Sequence, residues 1–264
     1  MIGFNGGLIG AAREISVNQS VPGVWTPREQ CDAVRRNIWP NFVPPIVTDG
    51  LVLHLDAGNN ASYPGSGNTW TDLSGNGNNG TLVNNVGYTS SNGGALTFDG
   101  SFDYVIINKT GISNFGLSPF TVEMWFYKNV NGLFVIYDPR PSGNGNYFTI
   151  LIDSDNLVKV LNNNTNRYSS TQSINSLSWY NVVISREGAG TNQTYLYING
   201  NLDGIHTDSV NYTDARLVIG AAAFAPLGAV SLNGRISTVR TYNKALTPSE
   251  VTQNFNALKG RYGL

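Results

Sequence analysis

Apolar and polar positions alternate in short runs along most of this chain. Leu51, Leu53 and Leu55 alternate with Val52, His54 and Asp56, the period of a half-buried strand. Val122, Met124 and Phe126 share one face of a second run and Glu123, Trp125 and Tyr127 the other, so both sides of that strand are expected to be covered. Residues 148–152, the turn 153–156 and residues 157–161 read as a hairpin. Residues 195–198, the pair Asn199-Gly200 and the run beyond it read as another, with the signal of a type I′ turn. Loops of Gly, Asn and Ser at 58–68 and 74–80 flank Trp70.

The pattern changes period twice. After a strand-like run at 236–242, Thr247 stands at an N-cap, Pro248 at the first helical position and Glu250 three residues past the cap, which is a capping box. Leu246 and Val251 are spaced to close a hydrophobic staple, and Val251, Phe255 and Leu258 share one helical face. Gly260 is expected to end this helix with a positive φ. Near the other end Thr26-Pro27-Arg28-Glu29 repeats the same start, Cys31, Val34 and Ile38 mark one face, and Pro40 stops it. Pro44-Pro45 is a stiff joint. Two parts follow: an arm over 1–49 with one short helix, and an all-β domain over 50–264 closed by a short C-terminal helix.

Composition narrows the partners. Charged residues are 12% of the 264 and the net charge is -1, so no basic footprint for nucleic acid exists. The 30 glycines supply turns between many short strands. Cys31 is the one cysteine, which rules out an internal disulfide and fits poorly with folding in an oxidising compartment. The opening MIGFNGGLIGAAREI has neither a charged leader nor a sustained apolar run. Synthesis without a signal peptide and no membrane insertion are the expectations.

Eight pieces in order carry a resemblance. They are GLVLHLDAGN at 50–59, WTDLSGNGNNGTL at 70–82, LTFDGSFDYV at 96–105, FTVEMWFY at 120–127, WYNVVISRE at 179–187, YLYINGNLDG at 195–204, LVIGAA at 217–222 and the closing run from Gly234 to Val251. Together they resemble the laminin-G-like, concanavalin-A-like jelly-roll domains. The resemblance implies a two-sheet antiparallel jelly-roll sandwich. The arm resembles N-terminal segments of structural proteins of tailed phages, especially those of marine cyanobacteria. It does so through Gly23-Val24-Trp25-Thr26-Pro27-Arg28-Glu29-Gln30 and Arg36-Asn37-Ile38-Trp39-Pro40.

That second resemblance implies a virion structural protein made in the host cytoplasm, a capsid decoration or a tail or fibre component on the capsid or tail surface. Phe4, Leu8, Trp25, Arg28, Arg35 and Trp39 are its candidate attachment residues, because the arm carries more large apolar side chains than a free tail needs. The expected partners are other virion proteins and further copies of the chain, a homo-oligomer; packing of the arm on its own sandwich is the alternative. A carbohydrate-binding module that mediates adsorption to a host-surface glycan is the other functional reading.

Candidate chemistry is sparse. His54 and His206 have no ligand-spaced companions, and no nucleophile motif is present. Jelly-roll glycosidases need two carboxyl groups about 5–5.5 Å apart for retention. The strand over 121–127 offers Glu123 alone, so no catalytic residue is assigned and the chain is read as a non-enzyme. Related domains often hold calcium, for which Asp56, Asp99 and Asp103 are the candidate ligands; the favoured alternative is that Asp99 and Asp103 cap the turn at Gly100 by bonding backbone N–H groups. No other cofactor is expected. Tyr137, Arg140 and Tyr147 flank the loop at 139–146 and are the candidate glycan contacts.

Overall fold

The computed structural model describes residues 44–140, 145–163, 165–223 and 227–264. Phe4, Leu8, Trp25, Arg28, Arg35 and Trp39, with the helix expected after Thr26, lie outside the described residues. From the N-terminal side the strands are β1 (Leu51–Asp56), β2 (Thr69–Trp70), β3 (Gly80–Val83), β4 (Gly87–Thr89), β5 (Ala95–Asp99) and β6 (Tyr104–Ile107). Next come β7 (Phe120–Lys128), β8 (Phe134–Asp138), β9 (Phe148–Ile152), β10 (Leu157–Asn162) and β11 (Thr165–Ser173). The last are β12 (Trp179–Arg186), β13 (Gln193–Ile198), β14 (Asn201–Thr207), β15 (Leu217–Ile219) and β16 (Asn233–Tyr242), followed by the helix α1 (Pro248–Tyr262).

Two antiparallel sheets stack face to face. One runs β14-β13-β12-β7-β16-β5-β4, with β1 also on β16; the other runs β11-β10-β9-β8-β15-β6-β3-β2. β16 organises the first sheet because it changes partner along its length. On one edge it follows β7 throughout. On the other, Asn233 to Ile236 pair with β5, and Thr238 to Tyr242 pair with β1. The irregularity at Ser237 marks the change: its carbonyl accepts from Ala57 N at 2.8 Å and its hydroxyl bonds Gly94 O at 2.6 Å.

The alternation seen in the sequence sorts side chains between layers. Leu53, Leu55, Val122, Met124 and Phe126 of the first sheet face Ile136, Ile150, Ile152, Val158 and Val160 of the second in the main core. Each such side chain taken out of water contributes roughly 1.5–3 kcal/mol. The two expected hairpins form, with Val158 opposite Ile152 in the first. Asn199 at φ 52 and Gly200 at φ 74 make the turn of the second.

The outer face of the first sheet is covered by α1. The capping box forms, with Glu250 N donating to Thr247 Oγ1 and Thr247 N to Glu250 Oε2. Leu246 and Val251 pack with Val183, Tyr197 and Tyr242, so the staple docks the helix as well as starting it. Trp125 stacks on Tyr262 at 4.2 Å between centroids and on Phe255 at 5.6 Å.

Gly260 does not end the helix. It continues to Tyr262, and Gly263 at φ 74 closes it. Tyr262 OH reaches Ser237 Oγ at 2.8 Å and Arg261 pairs with both Asp56 oxygens at 2.6 and 3.1 Å. These contacts outweigh the ~1 kcal/mol that a helical glycine costs. Residues ahead of Gly50 also belong to this unit, which spans 45–264. Val47 N donates to Asn254 Oδ1 at 2.8 Å, and Gln253 Nε2 donates to Pro45 O at 2.7 Å.

Candidate binding cleft

At one end of the sandwich a cleft of about 260 Å³ opens between the start of β1, the end of β16 and the loop over 108–119. Its inner wall is apolar: Ile112, Phe115 and Tyr242 are buried and Val52 is half-buried. Its mouth is polar, with Asn114, Ser118 and Asn243 exposed beside Gly111 and Pro119.

The long loop is held from behind at both ends. Asp214 accepts from Gly111 N at 3.0 Å and from Ser113 N at 2.8 Å. Gly116 exchanges backbone hydrogen bonds with Tyr212, at 2.8 and 3.2 Å. Arg186, 1% exposed, donates to Gly116 O at 2.7 Å, to Ser118 O at 3.0 Å and to Val210 O at 2.7 Å. Its guanidinium also lies 4.7 Å over the Phe120 ring, and Phe120 stacks flat on Phe115 at 3.8 Å. One buried cation therefore holds the carbonyl of Ser118 in the cleft lining, those of Gly116 and Val210 outside it, and the ring on which Phe115 stacks.

The opposite wall is just as constrained. Asp72 accepts from His54 N, Ser74 N and Asn78 N, which shapes the Gly/Asn loop at 74–80. Ser74 Oγ, Asn76 Nδ2 and Asn78 Nδ2 then all donate to Val52 O. Asn243 N donates to Gly50 O at 2.8 Å. None of the residues lining the cleft is ionisable apart from the buried Tyr242, whose hydroxyl is taken up by Val47 O and Asn254 Nδ2. Burial pushes that hydroxyl's pKa upward. The cleft can offer amide and hydroxyl hydrogen bonds above an apolar wall; it offers no charge.

The expected glycan contacts need correcting. Tyr137 does flank the loop, in β8, which runs to Asp138, but it is fully buried with its hydroxyl bonded to Ser113 Oγ and Thr241 Oγ1. Arg140 and Tyr147 do meet, the guanidinium lying 4.4 Å over the ring, but they are 9% and 3% exposed. They close over Asp138, which Arg140 Nη2 approaches at 3.2 Å and to which Thr149 Oγ1 and Ala223 N donate. Burial raises the Asp138 pKa against the pull of Arg140. This cluster welds β8 to its neighbours and offers no open ring for a sugar.

The calcium candidates do not converge, and among the described residues no group of three His, Cys, Asp or Glu side chains could hold a metal ion. Asp56 is occupied by Arg261. Asp103 accepts from Asn85 N at 2.9 Å and Asp99 N at 3.0 Å, and Asp99 accepts from Ser101 N at 2.7 Å. The turn-capping alternative is the one observed. Glu123 lies sealed under α1, bonded to Asn181 and Asn254. Sequence reasoning missed the cleft. Its only local signal was a Gly/Asn/Ser stretch, NKTGISN at 108–114, between two strand-like runs.

A family model, laminin G type, described as the concanavalin A-like lectin/glucanases superfamily, matches residues 99–252. No curated protein matches the chain. Among solved structures it is similar to Trypanosoma rangeli sialidase in complex with 2,3-difluorosialic acid, at 17% identity over 79% of this chain and 33% of that one, TM-score 0.57. It is similar to domain 4 of AbnA, a GH43 extracellular arabinanase from Geobacillus stearothermophilus, in complex with arabinotriose, at 19% identity over 77% of this chain and 97% of that one, TM-score 0.58. It is also similar to the botulinum neurotoxin serotype D binding domain, at 15% identity over 79% of this chain and 52% of that one, TM-score 0.59. At such identities the likeness is one of fold, and the chain spans about a third of the sialidase and about half of the neurotoxin chain.

Proposed function

The chain belongs to the concanavalin A-like lectin/glucanases superfamily, and we propose that its sandwich is a non-catalytic glycan-binding module working through the end cleft. The observation that carries this reading is the cleft's build: an apolar wall, a rim of Asn114, Ser118 and Asn243, and no carboxylate. Sugars present hydroxyls to amides and C–H faces to apolar surface, whereas glycoside hydrolysis needs a pair of acids. The arabinanase domain 4, solved with arabinotriose, supports the class of ligand. A glycan panel probed with the full chain tests it. Binding that falls at least tenfold in Asn114→Ala and Asn243→Ala, with an unchanged melting temperature, is the expected result. Hydrolysis of any panel glycan would overturn the non-catalytic part.

We further propose that the chain is a virion structural protein, a capsid decoration or tail component attached through its N-terminal residues and present in several copies. This rests on the resemblance of residues 23–40 to phage segments. Mass spectrometry of separated heads and tails should find the chain in one of them. Because Pro45 and Val47 bond to α1, the informative truncation removes residues 1–43. It should fold and fail to join particles; retained incorporation would refute attachment by the arm. Among the described residues no helix is long and apolar enough to cross a membrane. The module needs no calcium in this reading, so a chelator should leave its melting curve in place.

A further inference from the structure

We infer that the cleft recognises an uncharged sugar through an acetamido group, that is, an N-acetylated hexosamine rather than a plain hexose or an acidic sugar. The inference rests on the glycan reading above and names the part of the sugar that the cleft selects. Two features of the lining carry it. The first is burial: the polar lining side chains Asn114, Ser118 and Asn243 are exposed, while the apolar Ile112 and Phe115 are 2% and 8% exposed. Hydroxyls project all round a plain hexose, and one turned against the Ile112 or Phe115 side chain would meet carbon with no hydrogen-bond partner there. A methyl on an amide fits that division: the methyl reaches the apolar wall while its C=O and N–H stay level with the rim amides.

The second feature is charge. None of the lining residues is Lys, Arg, Asp, Glu or His. The cations beside the lining are engaged elsewhere: Lys109 Nζ donates to Asn76 O at 2.9 Å, and Lys244, next to Asn243, pairs with Asp49 and Glu250, each at 2.8 Å. Arg186 has its terminal nitrogens on three backbone carbonyls. A sugar carboxylate would lose water there without gaining the paired donors that carboxylate recognition uses.

The wall cannot easily reshape to admit other groups. Phe115 is pinned flat against Phe120 at 3.8 Å, and Ser113 beside it is tied to both Asp214 and Tyr137. A rigid apolar contact of methyl size discriminates by roughly 10–200-fold.

The test uses the full chain and four probes: the methyl glycosides of N-acetylglucosamine, N-acetylgalactosamine and glucose, and N-acetylneuraminic acid. Affinities come from calorimetry and contact points from saturation-transfer NMR. The expected result is at least tenfold tighter binding of an N-acetylhexosamine than of the glucoside. Strongest transfer to the acetamido methyl, and loss of binding in Asn114→Ala, are expected with it. Asn114 is exposed, so that variant should keep its fold. Equal or better binding of the glucoside, or preferential binding of the acidic sugar, would overturn the inference while leaving the glycan reading standing. Silence from all four probes, with other panel glycans also inert, would remove both.

Discussion

Arg240 Nη1 lies 3.3 Å from Glu123 Oε2, with both side chains sealed between the first sheet and α1. Glu123 also accepts from Asn181 Nδ2 at 3.0 Å and, from α1, Asn254 Nδ2 at 2.8 Å, so the carboxylate of this in-sheet ion pair also ties the helix to the sheet. Burial works against the Arg240 charge, yet the Glu123 carboxylate holds its pKa above the ordinary arginine value. Glu123→Gln would leave that cation uncompensated and should destabilise the domain by about 3–5 kcal/mol in urea unfolding. The double variant Glu123→Gln/Arg240→Met should recover most of the loss. A single variant within 0.5 kcal/mol of the parent would show that the buried Glu123 charge does not hold this layer together.

The capping box makes a separate prediction. Thr247→Ala removes an acceptor for Glu250 N and should cost about 1 kcal/mol. The core beneath is untouched, so near-ultraviolet dichroism should keep its shape while the thermal midpoint falls. A midpoint equal to the parent's would mean that side-chain docking alone holds the first turn.

His54 supplies a pH dependence. Burial, then the neighbouring Arg240, lower its pKa from 6.5 to about 4, while Asp56 and Asp72 pull the other way. The unfolded chain therefore takes up a proton before the folded one does. Stability should be full above pH 6.5 and decline as pH falls toward 4, by up to about 3 kcal/mol. Asp56 contributes its own acid loss lower down: Arg261 overcomes burial to hold it below 3.8. His54→Gln should flatten the upper window alone, as read from melting temperatures between pH 7 and 4.5.

Arg186→Lys tests what shapes the cleft. A single ammonium cannot reach Val210 O, Gly116 O and Ser118 O in the guanidinium's fork, nor lie flat over Phe120. Losing buried partners at this site should cost about 3 kcal/mol. Amide exchange should quicken at Gly116 and Tyr212, and glycan affinity should fall with it. Wild-type exchange at both amides would mean that the backbone pairing of Gly116 with Tyr212 suffices.

Local rules made much of the fold legible. The period of two placed Leu53, Leu55, Val122, Met124 and Phe126 on the core side, and the box at Thr247 started α1 where expected. Backbone sterics and neighbouring side chains decide these features within a few residues, so the sequence alone determined them. Gly260 shows where local rules stop: its propensity to end a helix lost to Arg261 and Tyr262, whose partners Asp56 and Ser237 come from other strands. Tyr137, expected as a glycan contact beside the loop, is buried for the same reason: its ring packs in the core, and its hydroxyl partners Ser113 and Thr241 come from distant parts of the chain. The cleft belongs wholly to tertiary structure. Asp214 holds Gly111 across 103 positions and Asn254 holds Glu123 across 131, and spacing along the chain carries no trace of contacts that only two stacked sheets create.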